Sequence, residues 1–119
     1  MAKKILVIDD DPVVVNYLVT LFTDNGYEAV SAADGAEGFD VLQREKPDLI
    51  TLDLQMPEEW GPRFYRKLSK SRFKDVPVIV ISGIAGQHAI RKAAAYISKP
   101  FDREKLLEAV SKALEAGAE

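Results

Sequence analysis

Six polar residues in this chain have side chains suited to phosphate chemistry, and each stands where a short aliphatic run gives out. Asp9, Asp10 and Asp11 follow Ile5-Leu6-Val7-Ile8, and Asp53 follows Leu49-Ile50-Thr51-Leu52. Ser82 follows Val78-Ile79-Val80-Ile81, and Ala95-Tyr96-Ile97-Ser98 leads into Lys99 and Pro100. Carboxylates brought together repel one another, so a site that keeps them ionised wants a hard cation. A small set of oxygen donors suits Mg²⁺, which retains waters and accepts a phosphoryl oxygen. An ammonium and a hydroxyl suit the remaining phosphoryl oxygens. The set reads as phosphoryl transfer. Each member alone has a plainer use: Asp11 as a helix cap, Asp53 and Ser82 as turn residues, Lys99 as a solvated side chain. Pro100 alone marks a turn, and its preceding bond is a candidate for the cis form.

The chemistry therefore depends on elements that bring these positions to one place. Uninterrupted apolar runs of this length are expected of strands buried on both faces, as in a parallel sheet covered by helices. A weaker run from Tyr27 to Ala32 and the short Ala95–Ser98 supply two more strands. Between them lie helical patterns with legible ends. Asp11 and Pro12 open the first, Val14, Leu18, Leu21 and Phe22 recur along it, and Gly26 stops it. Asp34-Gly35 opens a second helix, which runs to about Lys46 before Pro47. Pro62 stands near the start of a third, a short fourth is expected over 84–94, and Asp102 caps a fifth carrying Leu106, Leu107, Val110 and Leu114. The expected fold is a single α/β domain over 1–119, a flavodoxin-like doubly wound (βα)5 sandwich with five parallel strands in the order 2-1-3-4-5. Ligands bind such sheets at the carboxyl ends of the strands, where these residues stand.

Composition excludes several other classes. A length of 119 residues suits one domain, and 47% hydrophobic with 29% charged residues is ordinary for a globular protein. With no cysteine and one histidine, thiolate chemistry and structural zinc are out. No apolar run is long enough to span a membrane, and none after Met1 resembles a signal peptide, so a cytoplasmic location is expected. The 16 basic residues are balanced by 19 acidic ones, and no basic block is expected on one face, so no nucleic-acid partner is expected either.

In this order the motifs resemble a response-regulator receiver domain of two-component signalling, over essentially the whole chain. Lys4 to Asp11 is similar to the family's acidic opening, and Pro47 to Pro57 to the stretch around its phosphorylated aspartate, including Met56-Pro57. Ser82-Gly83 stands at the family's Ser/Thr position, and Tyr96 to Phe101 is similar to its switch aromatic and Lys-Pro-Phe. The resemblance implies that Asp53 is the phospho-acceptor, taking a phosphoryl group from a phosphohistidine on a sensor histidine kinase or histidine phosphotransfer protein. It implies Mg²⁺ held by Asp10 and Asp53, by Asp9 through water and by the main-chain carbonyl of Gln55. Lys99 and Ser82 would meet the phosphoryl oxygens, and Ser82 with Tyr96 would form the switch. Gln55 and Ile84 would tune hydrolysis of the phosphoaspartate. A downstream protein would dock near the fourth helix, fifth strand and fifth helix, and the chain would be no enzyme beyond its own phosphorylation and dephosphorylation.

Two departures bear on these expectations. The stretch between Ser82 and Lys99 is shorter than is usual in the family, which shortens the fourth helix. Glu58-Glu59-Trp60-Gly61 reads as a solvated loop where the family often has a glycine and a small or acidic residue. Two rival functions follow from other readings. A pseudo-receiver would keep the fold as a binding module without phosphorylation. A haloacid-dehalogenase-like phosphatase would use Asp9 as nucleophile and Asp11 as general acid, but it leaves Asp53 and Met56-Pro57 without a role and lacks a later strand-end acidic pair.

Overall fold

A computed structural model describes residues 2–54, 60–83 and 93–117. Its elements alternate along the chain: β1 (Lys4–Ile8), α1 (Pro12–Asp24), β2 (Glu28–Ala32), α2 (Gly35–Glu45), β3 (Leu49–Asp53), α3 (Trp60–Ser69), β4 (Val78–Ser82), β5 (Ala95–Ser98) and α4 (Arg103–Gly117). All four strand pairings are parallel, and the sheet order is β2-β1-β3-β4-β5. The expected doubly wound topology is what forms. The fourth helix expected over 84–94 falls almost wholly on 84–92, outside the described residues.

The central strands β3 and β4 are buried along their whole length, while the edges β2 and β5 are only partly covered. Side chains alternate across the sheet and divide the core into two layers. Leu6, Ile8, Ile50, Leu52, Val78 and Val80 face Phe39 and Leu42 of α2 and Phe64 and Leu68 of α3. Ile5, Val7, Leu49, Ile79 and Ile81 face Leu18 and Phe22 of α1 and Leu106 and Val110 of α4.

Helix ends follow local chemistry. The Asp11 carboxylate accepts from the Val13 N–H at 2.9 Å with Pro12 in the first turn, and Asp34 accepts from the Glu37 N–H at 2.8 Å. Gly26 turns the chain out of α1 at φ +90°, a conformation that glycine adopts without penalty. The α2 helix ends at Glu45, with Lys46 in the left-handed region at φ 48°.

Two expectations need correction. Trp60 and Gly61 belong to α3 rather than to a loop, so the helix begins before Pro62, which sits in its first turn. There the missing proline N–H has no helical partner to lose. The expected absence of a basic face also fails. Arg63, Arg66, Lys67, Lys70, Arg72 and Lys74 are all exposed on α3 and the turn after it. A near-neutral chain total concealed them, because acids elsewhere cancel them in the sum.

Candidate functional site

Four strands deliver their last residues to one edge of the sheet. Parallel register keeps these ends in step: Ile8 pairs with Ala32 and Leu52, Asp53 with Ile81, and Ser82 with Ser98. Asp9 lies one residue beyond β1, where its N–H donates to the Ala32 carbonyl at 3.2 Å. Asp53 closes β3 and Ser82 closes β4. Lys99 lies one residue beyond β5, its N–H donating to the Ser82 carbonyl at 2.9 Å, and the Lys99–Pro100 bond is cis.

The acids at this edge are unequally exposed. Asp9 is 2% and Asp53 3% accessible, while Asp10 is exposed. One carboxylate oxygen from each lies within 4.8 Å of the others. Burial of two ionised carboxylates needs compensation. The Lys99 ammonium provides it, donating to Asp9 Oδ2 at 3.0 Å and standing 3.6 Å from Asp53 Oδ2. The Asp11 N–H donates to Asp9 Oδ1 at 2.9 Å, fixing the other oxygen. Burial alone would pull the Lys99 ammonium below its ordinary value. The Asp9 hydrogen bond and the charges of Asp53 and Asp9 outweigh that pull, so Lys99 holds its proton more tightly than a free lysine.

Three oxygen donors at this spacing fit a hard divalent cation. A cleft lined by Asp9, Asp10, Pro12, Val15, Asn16 and Ser31 opens beside them.

The expected switch pair is also placed. Ser82 is buried at the edge, and Tyr96 faces the α2–α3 layer from β5. Among the described residues its buried hydroxyl oxygen has no hydrogen-bond partner, and neither has that of Thr51 on β3. Tyr65 of α3 packs against the same cluster as Tyr96. Burial first, and then the nearby Tyr96 phenol, raise the Tyr65 hydroxyl above its ordinary value. Gln55 and Ile84, assigned to hydrolysis tuning, lie outside the described residues, as do Met56, Pro57 and His88.

Sequence reasoning missed one residue of this region. Gly61 brings the first turn of α3 so close to β3 that a Cβ there would lie 2.8 Å from the Asp53 carbonyl oxygen and 2.8 Å from the Leu54 Cα. Both are backbone atoms, so only glycine lets the helix start against the residue that carries the central carboxylate. A glycine after a tryptophan gives no such signal, because the need for it comes from a distant contact.

Comparison with known proteins agrees with this fold. A family model described as the response regulator receiver domain matches residues 5–111. The chain is 38% identical over 116 residues to protein Rrf1 of Nitratidesulfovibrio vulgaris, covering 96% of this chain and 84% of that protein. It is 35% identical to the transcriptional regulatory protein GlrR of Escherichia coli, covering 96% of this chain but only 27% of that longer protein. Among solved structures, a CheY-like receiver domain protein from Methanospirillum hungatei superposes with a TM-score of 0.91 at 28% identity, covering 99% of this chain and 98% of that one.

Proposed function

Because this chain belongs to the response-regulator receiver family, we propose that it accepts a phosphoryl group on Asp53 and uses the added charge to change a docking face. The observation that carries this reading is the Lys99 ammonium set against two buried carboxylates, at 3.0 Å from Asp9 and 3.6 Å from Asp53. The donor would be a phosphohistidine on a sensor kinase or a phosphotransfer protein. An Asp53 carboxylate oxygen attacks phosphorus, the bond to the imidazole nitrogen breaks, and the imidazole leaves with that electron pair and takes up a proton. Charge in such a transition state spreads over the equatorial oxygens, so positioned cations and donors do most of the work. Lys99 offsets that charge, and the Ser82 hydroxyl donates to one oxygen.

Asp9, Asp10 and Asp53 would hold Mg²⁺, with Asp9 acting through water and the Gln55 carbonyl as a further ligand. When bound, the ion supplies charge neutralisation for the incoming phosphoryl group. Asp53 and Lys99 orient the reaction. Ser82 and Tyr96 carry its consequence, since an added dianion of acceptor oxygens favours whichever arrangement brings the Ser82 donor toward it. The unpartnered Tyr96 hydroxyl makes its present position a costly one, which suits a residue that has to choose between two.

The downstream target would read the surface of β5 and α4. No described helix is long and apolar enough to cross a membrane, in keeping with a cytoplasmic signalling role. The phosphatase reading is disfavoured by Asp11, whose carboxylate caps α1 rather than facing the site as an acid.

Intact-mass spectrometry after incubation with acetyl phosphate and Mg²⁺ tests the proposal. The expected result is one phosphoryl adduct in the parent and none in Asp53→Ala. An adduct kept in Asp53→Ala but lost in Asp9→Ala would replace this reading by the phosphatase. No adduct, together with no binding of beryllofluoride, would favour the pseudo-receiver.

A further inference from the structure

Residues 63–74, in helix α3 and the turn after it, hold six of the chain's 16 basic residues, Arg63, Arg66, Lys67, Lys70, Arg72 and Lys74, with no acid among them. The remainder carries ten basic residues against 19 acidic, so a chain of net charge −3 is strongly polarised. Gly61, Phe64 and Leu68 are buried on the inner side of the helix. Positions 63, 66, 67 and 70 recur at helical spacing on the outer side, in a stripe about 10 Å long at the α-helical rise.

Several cations elsewhere in the chain are paired at close range. Lys4 and Arg44 pair with Glu45, Lys112 with Glu108, and Lys99 with Asp9 and Asp53. Among the described residues no acid lies within ion-pair distance of Arg66, Lys67, Lys70, Arg72 or Lys74. Lys67 instead sits over the Phe39 ring at 4.3 Å and Arg72 over the Phe73 ring at 4.9 Å. Like charges at i and i+4 oppose helix formation, and a merely solvated face usually mixes signs.

We propose that the outer face of α3 docks a short acidic segment of a partner protein, its carboxylates meeting Arg66 and Lys70 at the centre of the stripe. Charge complementarity requires an anionic partner, and the two ends of the stripe argue for a short one. At its start, Gly61 abuts the backbone of Asp53, beside the carboxylate cluster. Beyond Lys70, after Arg72 and Lys74, stands exposed Asp75. A nucleic-acid duplex lying along the helix would extend beyond this short stripe onto the remainder of the chain, which carries ten basic residues against 19 acidic. An acidic helix no longer than the stripe would stop short of that remainder. Arginine's planar fork also matches a carboxylate in two parallel hydrogen bonds. The face lies across the sheet from α4, and the inference does not depend on phosphorylation of Asp53.

Fluorescence anisotropy on the unphosphorylated full chain tests it, with a labelled helical peptide of repeating Glu-Ala-Ala-Glu units and a labelled DNA duplex of equal net charge as probes. The peptide should bind saturably and more tightly than the duplex. Arg66→Glu with Lys70→Glu should weaken it at least ~10-fold, and the milder Arg66→Gln with Lys70→Gln several-fold. Lys105→Glu with Lys112→Glu on α4 should change it less than about two-fold, and thermal melts would confirm that each variant folds. The proposal is overturned by tighter binding of the duplex, by equal loss in the α3 and α4 variants, or by no saturable binding of the peptide.

Discussion

Charge is held in two contrasting ways on the two sides of Gly61. Toward the sheet edge, Asp9 and Asp53 are buried and share the single Lys99 ammonium at 3.0 and 3.6 Å. Along α3, exposed cations stand in a row with no acid among them. Buried charge is expensive to remove from water and is tolerated only with a partner held in place, so its geometry is fixed. Exposed charge costs little, stays hydrated and remains available to something outside the molecule. The first arrangement suits chemistry at a defined atom, and the second suits an encounter.

The contrast breaks most visibly if Lys99 is replaced. Lys99→Met leaves two buried carboxylates without their cation and should cost about 2 kcal/mol, less than a fully buried pair would lose because Lys99 is partly exposed. Urea unfolding would measure it. Because the folded-state value of Lys99 is raised, its contribution is complete below the ordinary lysine value of 10.5 and is lost as pH climbs beyond that. The difference between parent and variant should therefore be constant through neutral pH and shrink only in strong alkali. A difference already vanishing near neutrality would mean that the ammonium is not the compensating charge.

The junction comes next. Gly61→Ala should destabilise by about 1–2 kcal/mol, since the added methyl meets backbone that cannot move aside, partly offset by alanine's better helix propensity. Gly38→Ala on α2 is the informative control. Its Cβ would also come within 2.8 Å of an atom, but that atom is the tip of the flexible Ile8 side chain. Its melting temperature should stay close to that of the parent, and equal losses at the two glycines would show that distance alone decides.

The smallest effect has the opposite sign. Arg66→Gln with Lys70→Gln removes a like-charge pair one helical turn apart and should raise stability by about 0.3 kcal/mol at low salt, the gain fading as salt rises. A marked loss in thermal melts would show these side chains to be structural.

Much of this was legible in the residues themselves. The central strands could be read because β3 and β4 are apolar along nearly all their length, and their ends could be read because Asp53 and Ser82 interrupt them. Caps at Asp11 and Asp34 use contacts within three residues, which a linear reading detects well. The close approach of α3 to β3 was not legible, because Gly61 answers to the backbone of Asp53 and Leu54 across the fold. The ion pair of Lys99 with Asp9 spans 90 positions, so the residues could be named but not their pairing. The basic stripe was present in the sequence and lost in averaging over the whole chain.

The hydrogen bond from the Lys99 N–H to the Ser82 carbonyl, at 2.9 Å, ties the carboxyl end of β5 to that of β4. The connection that follows Ser82 rejoins the sheet at Ala95, at the other end of the strands, where pairing with Ile79 fixes the register. Its length can therefore change over evolutionary time without displacing either residue, whereas adding one residue within β3 would turn Asp53 to the other side. Natural variation should accumulate as insertions and deletions between 83 and 95, and the strands should keep their count.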